Sequence, residues 1–311
     1  MPKDEQIIMP EGKGNMKLKN GKTNDEMGRP VNFSFRKGDE KKNERINFKH
    51  YNDLLHEKEP DEKDTTYSSI WRYRKGKMIE PFTDKVAEEN PYFSEFNPLI
   101  SQNITNFWCD EGDVVLDPFA GRTRGIVSGL THRKYYGFEI SKSTFDKVND
   151  VIQSGKDKFD EGFMPILYND DSFNMENYNE IPEVDLIYSC PPYWNLEKYP
   201  SCDGQLSDID KYEVFLDRLT SIIEKCSHKL KTNGFICLVV GDFRVNEGER
   251  LLPFDSDLAR KIEEIKGIVL WDKIVIQNVN NFIASRRFGA IKHRRITSKV
   301  SEYLLVFKKL F

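Results

Sequence analysis

The sequence predicts an α/β fold in which a mostly parallel sheet carries helices on both faces. From about residue 113 onward, short apolar segments alternate with longer segments whose apolar residues recur at helical spacing. The short segments, such as 114–116 and 234–242, are rich in Val, Leu and Ile, as is typical of strands buried on both faces. Strands that alternate with helices usually pair in parallel, so the pattern favours a sheet covered on both sides.

A helix is predicted ahead of the first strand, over 99–108. Pro98 suits its first turn, because proline lacks the N–H that a helix start leaves unbonded. The spacing of its apolar residues predicts one shared face. That face comprises Leu99, Ile100, Ile104, Phe107 and Trp108.

Each later element is predicted from apolar period and from turn or capping residues. Pro118 and Gly121 separate the first strand from a helix at 125–130, and Ser141 is placed to cap the next helix. The remaining predicted helices cover 142–153, 212–230 and 255–265, and the remaining predicted strands cover 135–140, 165–168, 184–188, 268–271, 274–276 and 303–307.

Residues 1–66 differ in composition from the rest of the chain. They are rich in Lys, Asp, Glu, Asn and Gly and show no sustained apolar period. We expect a flexible charged N-terminal arm over 1–66, followed by one domain over 67–311. Basic residues of the arm could contact phosphate, although mixed charge runs are more often solvated tails.

Composition bounds the class of protein. The net charge of −4 neither supports nor excludes nucleic acid, because local basic clusters can bind phosphate on an acidic protein. The five cysteines form no C-x-x-C pair and no metal-ligand spacing, which suits a reducing cytosol and predicts no metal site. No apolar segment approaches membrane-spanning length. We therefore expect a cytoplasmic protein that does not span a membrane.

Two loops follow predicted strands and carry distinctive residues. Asp117-Pro118-Phe119-Ala120-Gly121 follows the strand at 114–116, and Ser189-Cys190-Pro191-Pro192-Tyr193 follows the strand at 184–188. Together they resemble the D-P-F-x-G-x-G and [D/N/S]-P-P-[Y/F/W] loops of S-adenosylmethionine-dependent DNA methyltransferases that modify exocyclic amino groups. The resemblance implies a Rossmann-like methyltransferase fold with a mostly parallel seven-stranded sheet. Two positions depart from it, because Thr123 replaces the second loop glycine and Cys190 precedes the prolines.

The resemblance implies S-adenosylmethionine as cofactor and assigns residues to it. Asp117 would accept a charge-assisted hydrogen bond from its ammonium group, with Phe119 beside the methionine chain and Gly121 in the loop. Glu139 lies about 20 residues past the loop, where a carboxylate accepts from ribose hydroxyls. Asp170 or Asp171 would accept from the adenine amino group, or would only form a turn.

The second loop would act on the target base. An exocyclic amino group is a poor nucleophile, because its lone pair is delocalised into the ring. Cys190, or Ser189 by a small shift, and the Pro191 carbonyl would accept its N–H bonds, and the proline pair fixes that carbonyl. Tyr193 would receive a base flipped out of the duplex, with Trp194 as a second wall. The catalytic residues assigned in this way are Ser189, Cys190, Pro191, Pro192 and Tyr193. The first two, Ser189 and Cys190, are small and neutral, which slightly favours cytosine over adenine as the target base.

Three further functions stay open from the sequence. Cys190 could instead attack a pyrimidine carbon, because a thiol is a better nucleophile than an acceptor. The same fold could methylate RNA or free nucleotides. A catalytically silent protein could also use the basic residues of the chain to bind DNA.

A basic segment at 279–299 is the candidate DNA contact. Its cationic side chains suit phosphate neutralisation beside the target pocket, although a solvated loop would have the same composition. The residues assigned to this contact are Arg286, Arg287, Lys292, Arg294 and Arg295. DNA is the expected partner and a restriction nuclease is a candidate partner, while the oligomeric state stays open.

Overall fold

One large sheet dominates the computed structural model, which describes residues 69–73, 96–194, 199, 201–245, 250–278, 295 and 301–311. In the described residues the sheet has eight strands. In chain order they are β1 (Ile70–Tyr73), β2 (Val114–Asp117), β3 (Lys134–Phe138), β4 (Ile166–Tyr168), β5 (Val184–Ser189), β6 (Leu230–Val240), β9 (Ile268–Asn278) and β10 (Ser301–Lys309). A separate two-stranded sheet pairs β7 (Phe243–Val245) with β8 (Arg250–Leu252).

The strand order is β1-β9-β10-β6-β5-β2-β3-β4. Strand β10 runs antiparallel to both of its neighbours, β6 and β9, and every other pairing in this sheet is parallel. The chain runs outward from β2 through β3 to β4, and then returns to β5 on the other side of β2. The sheet therefore has a topological switch point between β2 and β5, where ligands of open α/β folds bind.

The mostly parallel α/β fold of the Rossmann-like methyltransferase class is confirmed. Seven strands form the expected sheet, and the four-residue strand β1 adds an eighth at its edge, paired in parallel with β9. The predicted strands at 268–271 and 274–276 are one continuous strand, β9. Its register with β10 shifts at Trp271, which is 56% exposed. This irregularity in the pairing accounts for the break in the apolar pattern after residue 271.

Five α-helices occur in the described residues. They are α1 (Pro98–Trp108), α2 (Arg124–Leu130), α3 (Lys142–Ser154), α4 (Tyr212–Lys229) and α5 (Phe254–Glu263). The predicted cap is present, since the Ser141 side chain accepts from the Thr144 N–H at the start of α3. Asn97 caps α1 in the same way, by accepting from the Leu99 N–H at 3.1 Å.

The predicted apolar face of α1 is wrong in one residue. Phe107 is 43% exposed, whereas Ser101 and Thr105 are fully buried on the helix. The Ser101 hydroxyl bonds the Tyr188 hydroxyl of β5 at 2.8 Å, and the Thr105 hydroxyl donates to helix carbonyls. Small hydroxyl residues therefore let α1 approach the sheet closely, which an apolar pattern cannot show.

Two buried clusters cover the two faces of the sheet. Successive residues of β5 alternate between them, with Leu186 and Tyr188 in one cluster and Ile187 in the other. Helices α4 and α5 contribute to the cluster around Ile187, and α1 contributes to the opposite one. The central strands are therefore buried on both faces, as their composition predicts. In the described part of the chain, no helix combines the length and apolar character needed to span a membrane.

The predicted N-terminal arm, 1–66, lies outside the described residues, and so do Arg286, Arg287, Lys292 and Arg294 of the basic segment. Arg295 is described, and it is exposed with a φ of 52°. The division into an arm and a domain at residue 66 and the DNA-contacting role of the segment stay predictions.

Candidate active site

The two distinctive loops meet at the switch point of the sheet. Asp117 ends β2 and Ser189 ends β5, and these strands are parallel neighbours. The Ser189 hydroxyl donates to Oδ1 of Asp117 at 2.5 Å, and both side chains are fully buried. A direct hydrogen bond therefore ties the base of one loop to the base of the other.

Asp117 accepts three further hydrogen bonds from the protein. Its Oδ1 also accepts from the Phe119 N–H at 3.0 Å, and its Oδ2 accepts from Arg124 Nε at 2.7 Å and from the Tyr135 hydroxyl at 2.8 Å. An ionised carboxylate offers about four acceptor positions. The protein's own donors thus occupy the carboxylate, which has no exposed surface.

Arg124 is the buried counter-ion of Asp117. Its side chain is 5% exposed, and its Nη2 donates to the Phe119 carbonyl. The guanidinium lies 5.3 Å from the centre of the Phe96 ring and 5.9 Å from that of Tyr188. Burial opposes the charged form, but the attraction of the Asp117 carboxylate leads the effects that hold the pKa of Arg124 above its ordinary value.

The loop between β2 and α2 is compact despite its missing glycine. Gly121 has a φ of 58°, in the left-handed region that favours glycine. Thr123 stands where the family pattern has its second glycine and has a φ of −119°, which threonine adopts freely. Its hydroxyl donates to the Phe96 carbonyl at 3.2 Å. The substitution is therefore accommodated by ending the loop at Thr123 and starting α2 at Arg124.

Glu139 follows β3, directly beside the Asp117 loop. Its Oε1 accepts from the Ser141 N–H at 2.9 Å, and the Gly121 N–H is a second backbone donor to the same carboxylate. Burial raises the pKa of Glu139, although these donors act in the opposite direction. Two donors leave acceptor positions on the carboxylate for a ligand.

Asp170 and Asp171 follow β4, the next strand along the sheet. Asp170 accepts from the Asn174 side chain at 3.0 Å and from the Tyr178 hydroxyl at 2.8 Å. Asp171 accepts from the Phe173 N–H at 2.9 Å and pairs with Arg218 at 2.8 Å. Both residues therefore shape the turn that follows β4, and contact with an adenine ring stays a prediction for either.

Tyr193 is held at the mouth of the second loop by aromatic rings and one carboxylate. Its ring lies nearly parallel to that of Phe243, with centroids 6.2 Å apart, and meets Phe254 edge to face at 5.9 Å. Its hydroxyl donates to Oε1 of Glu302 at 3.1 Å. Cys190 and Tyr193 are both partly exposed.

Trp194 is anchored to the protein. Its Nε1 donates to the Ile209 carbonyl at 2.7 Å, and its ring lies 5.4 Å from that of Tyr212. These contacts use its N–H and part of its surface, so its expected role as a wall for a base stays a prediction.

Among the described residues, no group of three or more His, Cys, Asp or Glu could hold a metal ion.

Comparison with known proteins classifies the chain. Residues 7–150 and 184–310 match the N6/N4 methyltransferase family, which is described as DNA methylase. The chain belongs to this family. The expected resemblance to exocyclic-amino DNA methyltransferases is therefore confirmed at the level of family.

Two curated relatives of this chain are named methyltransferases. The chain is 34% identical over 87 residues to the orphan methyltransferase M.BamHII of Bacillus amyloliquefaciens. The aligned residues cover 28% of this chain and 32% of that protein. The chain is 27% identical over 178 residues to the type II methyltransferase M.BglII of Bacillus subtilis, which covers 56% of this chain and 46% of that protein. The chain thus spans less than half the length of these two relatives.

Among solved structures, this chain is similar to TrmN from Thermus thermophilus. The TM-score is 0.48 at 15% identity, with 73% of this chain and 52% of that chain covered.

Several residues of the site were not predicted from the sequence. Arg124 and Tyr135 complete the shell of Asp117, and Glu302 bonds Tyr193 from the other end of the domain. Asn169 donates to the Glu139 carbonyl at 2.8 Å and so joins the loops after β3 and β4. The signal that the sequence offered was Arg124, a cation at the first position of α2, directly after the loop that matches the family pattern.

Proposed function

We propose that this DNA methylase transfers a methyl group from S-adenosylmethionine to an exocyclic amino group of a base in DNA. The observation that carries the proposal is the hydrogen bond between Ser189 and Asp117, which joins the two motif loops at the switch point of the sheet. Cofactor and target base must lie side by side for direct methyl transfer, and neighbouring strand ends provide that arrangement.

The residues at the β2 and β3 ends fit S-adenosylmethionine, which supplies a methyl group on a cationic sulfur when bound. Glu139 keeps acceptor positions open for ribose hydroxyls, and Gly121 shapes the loop beside it. Phe119, partly buried against the core, would border the methionine chain. Asp171 or Asp170 would lie near the adenine ring.

Asp117 supports cofactor binding in this proposal through the loop it holds. Its four internal donors include the Phe119 N–H and Arg124, which in turn bonds the Phe119 carbonyl. A direct bond from Asp117 to the cofactor ammonium group would require one of these donors to leave. The acid thus fixes the backbone that faces the ligand.

The second loop would hold the target amino group. Ser189 is fully buried and its hydroxyl donates a hydrogen bond to Asp117, so Cys190 is the better placed of the two side chains to accept an N–H bond. The Pro191 carbonyl would accept the other, with Pro192 fixing its direction. Tyr193 would stack on a flipped base. Because Cys190 is neutral, we favour cytosine over adenine as the target.

A second chemistry has one observation in its favour. Cys190 is partly exposed at the start of the second loop, and an accessible thiol is a good nucleophile. Cys190 could then add to a pyrimidine ring carbon, which would direct the methyl group to carbon.

Transfer of a labelled methyl group tests the proposal. Purified protein with methyl-labelled S-adenosylmethionine should label unmodified DNA and leave RNA of matched length unlabelled. Labelling of RNA alone would favour an RNA methyltransferase, and binding to DNA without any label would favour a silent binding protein. We also propose that the protein acts in the cytoplasm. A restriction nuclease that cuts the same DNA site is its proposed partner, in line with a relative named a type II methyltransferase.

A further inference from the structure

We infer that Glu302 is a positioning residue that fixes the Tyr193 ring for stacking on the target base. The inference rests on the proposed function, because it assigns Tyr193 to a flipped base. Glu302 is the second residue of β10 and lies 109 positions from Tyr193 in the sequence. Its Oε1 accepts a hydrogen bond from the Tyr193 hydroxyl, with the two oxygens 3.1 Å apart.

Three strand ends converge on this bond. Tyr193 follows β5, Gly241 follows β6, and Glu302 lies near the start of β10, which runs antiparallel to β6. A Cβ added to Gly241 would lie 3.4 Å from the Tyr193 hydroxyl and 3.5 Å from Glu302 Cγ. The backbone of Gly241 therefore lies directly against the Tyr193–Glu302 pair.

The backbone of Glu302 is well fixed. Glu302 pairs with Ile276 of β9, and the next residue, Tyr303, pairs with Val240 of β6. A carboxylate mounted between two strands is a firmer anchor than one in a loop, because the ladder bonds hold its backbone. Tyr193, in contrast, lies in the loop after β5.

The aromatic contacts and the hydrogen bond restrain different parts of the Tyr193 ring. Phe243 and Phe254 contact it through apolar surface, and such contacts are not directional. The bond to Glu302 is directional, so it fixes the hydroxyl end and with it the position at which the partly exposed ring meets a base. Because stacking depends on that position, we expect loss of the bond to slow methyl transfer more than cofactor binding.

A double-mutant cycle tests this inference. Tyr193→Phe removes the hydroxyl donor, and Glu302→Leu removes the acceptor carboxylate. Each should lower kcat for DNA methylation about tenfold, as for loss of a hydrogen bond to a charged group. The double variant should be no slower than either single variant, and the affinity for S-adenosylmethionine should stay unchanged in calorimetry. Glu302→Gln keeps an acceptor oxygen and should restore most of the rate.

Tyr212→Phe is the matched control. It also removes a tyrosine-to-carboxylate bond of 3.1 Å, to Asp257, in the same aromatic cluster but outside the second loop. We expect it to leave kcat unchanged, so that a general loss of packing is told apart from loss of position. Thermal unfolding of each variant shows whether it is folded.

A readout of base position completes the test. The methylated base is first mapped in DNA treated with the wild-type protein, and 2-aminopurine is then placed at that position of a duplex. Its fluorescence on binding should differ between Tyr193→Phe and the wild type, and Glu302→Leu should match Tyr193→Phe. Additive effects in the cycle, or equal effects from Tyr212→Phe, would overturn the role of Glu302. A wild-type protein that methylates no DNA would overturn the proposed function instead.

Discussion

Removal of the Arg124 cation should destabilise the domain far more than removal of an exposed cation. Arg124→Met keeps a long apolar stem but leaves the carboxylate of Asp117 buried without its counter-ion. Breaking a buried ion pair by removing one partner costs about 3–5 kcal/mol. The Phe119 N–H, Tyr135 and Ser189 still donate to the carboxylate, so we expect the lower half of that range.

Urea unfolding, monitored by circular dichroism, measures the change in the free energy of unfolding. The control is Lys142→Met, which removes an i,i+4 pair with Asp146 whose side chains are 70% and 49% exposed. Such a pair contributes at most about 0.5 kcal/mol. Asp117→Asn combined with Arg124→Met should recover part of the loss, because the double variant buries no unpaired charge. An Arg124→Met protein as stable as Lys142→Met would refute this account of the buried pair.

Three further predictions concern the ligands. Glu139→Gln should weaken S-adenosylmethionine binding by about 1.5–3 kcal/mol in calorimetry. The affinity of the wild type should fall as the pH drops through the pKa of Glu139, which burial raises, and the variant should lack this dependence. Equal affinity and an equal pH response in the two proteins would contradict the ribose role. Cys190→Ser should stay active in labelled-methyl transfer, whereas a folded, cofactor-binding but inactive variant would favour covalent attack on carbon. Replacing Arg294 and Arg295 by Ala should reduce the logarithmic salt slope of duplex DNA binding by about 0.9 per lost phosphate contact, and an unchanged slope would indicate a solvated segment.

The central strands, and the loops that follow them, could be predicted because the sequence signals for both are local. Val114–Asp117 and Val184–Ser189 are short apolar segments that end in polar or turn-forming residues, and parallel pairing brings their carboxyl ends to one edge. The cap at Ser141 was equally local, because capping depends on residues within one turn of the helix start.

The interior contacts of the site were not predictable from these signals. Asp117 looked like a ligand at a strand end, but its burial depends on Arg124 folding back beneath the loop and on Tyr135 reaching across from β3. Composition and spacing do not show where a long side chain points. The Tyr193–Glu302 bond depends on β10 inserting beside β6, which joins residues 109 positions apart.

The edge strand β1 was missed for a related reason. Its four residues, Ile70–Tyr73, place Arg72 between Trp71 and Tyr73, a composition that suits base stacking as well as packing. Only its parallel pairing with β9 makes it a strand. Short edge strands take their structure from the neighbouring strand, so their own sequence carries little signal.

Mass spectrometry of nucleosides most directly tests the claim that the joined loops methylate an exocyclic amino group. DNA treated with the wild-type protein and labelled S-adenosylmethionine is digested to nucleosides, and the labelled product is identified by fragmentation. The account predicts a methyl group on the exocyclic nitrogen, on cytosine in preference to adenine. A methyl group on a pyrimidine ring carbon, or no modified nucleoside from DNA that the folded protein binds, would contradict it.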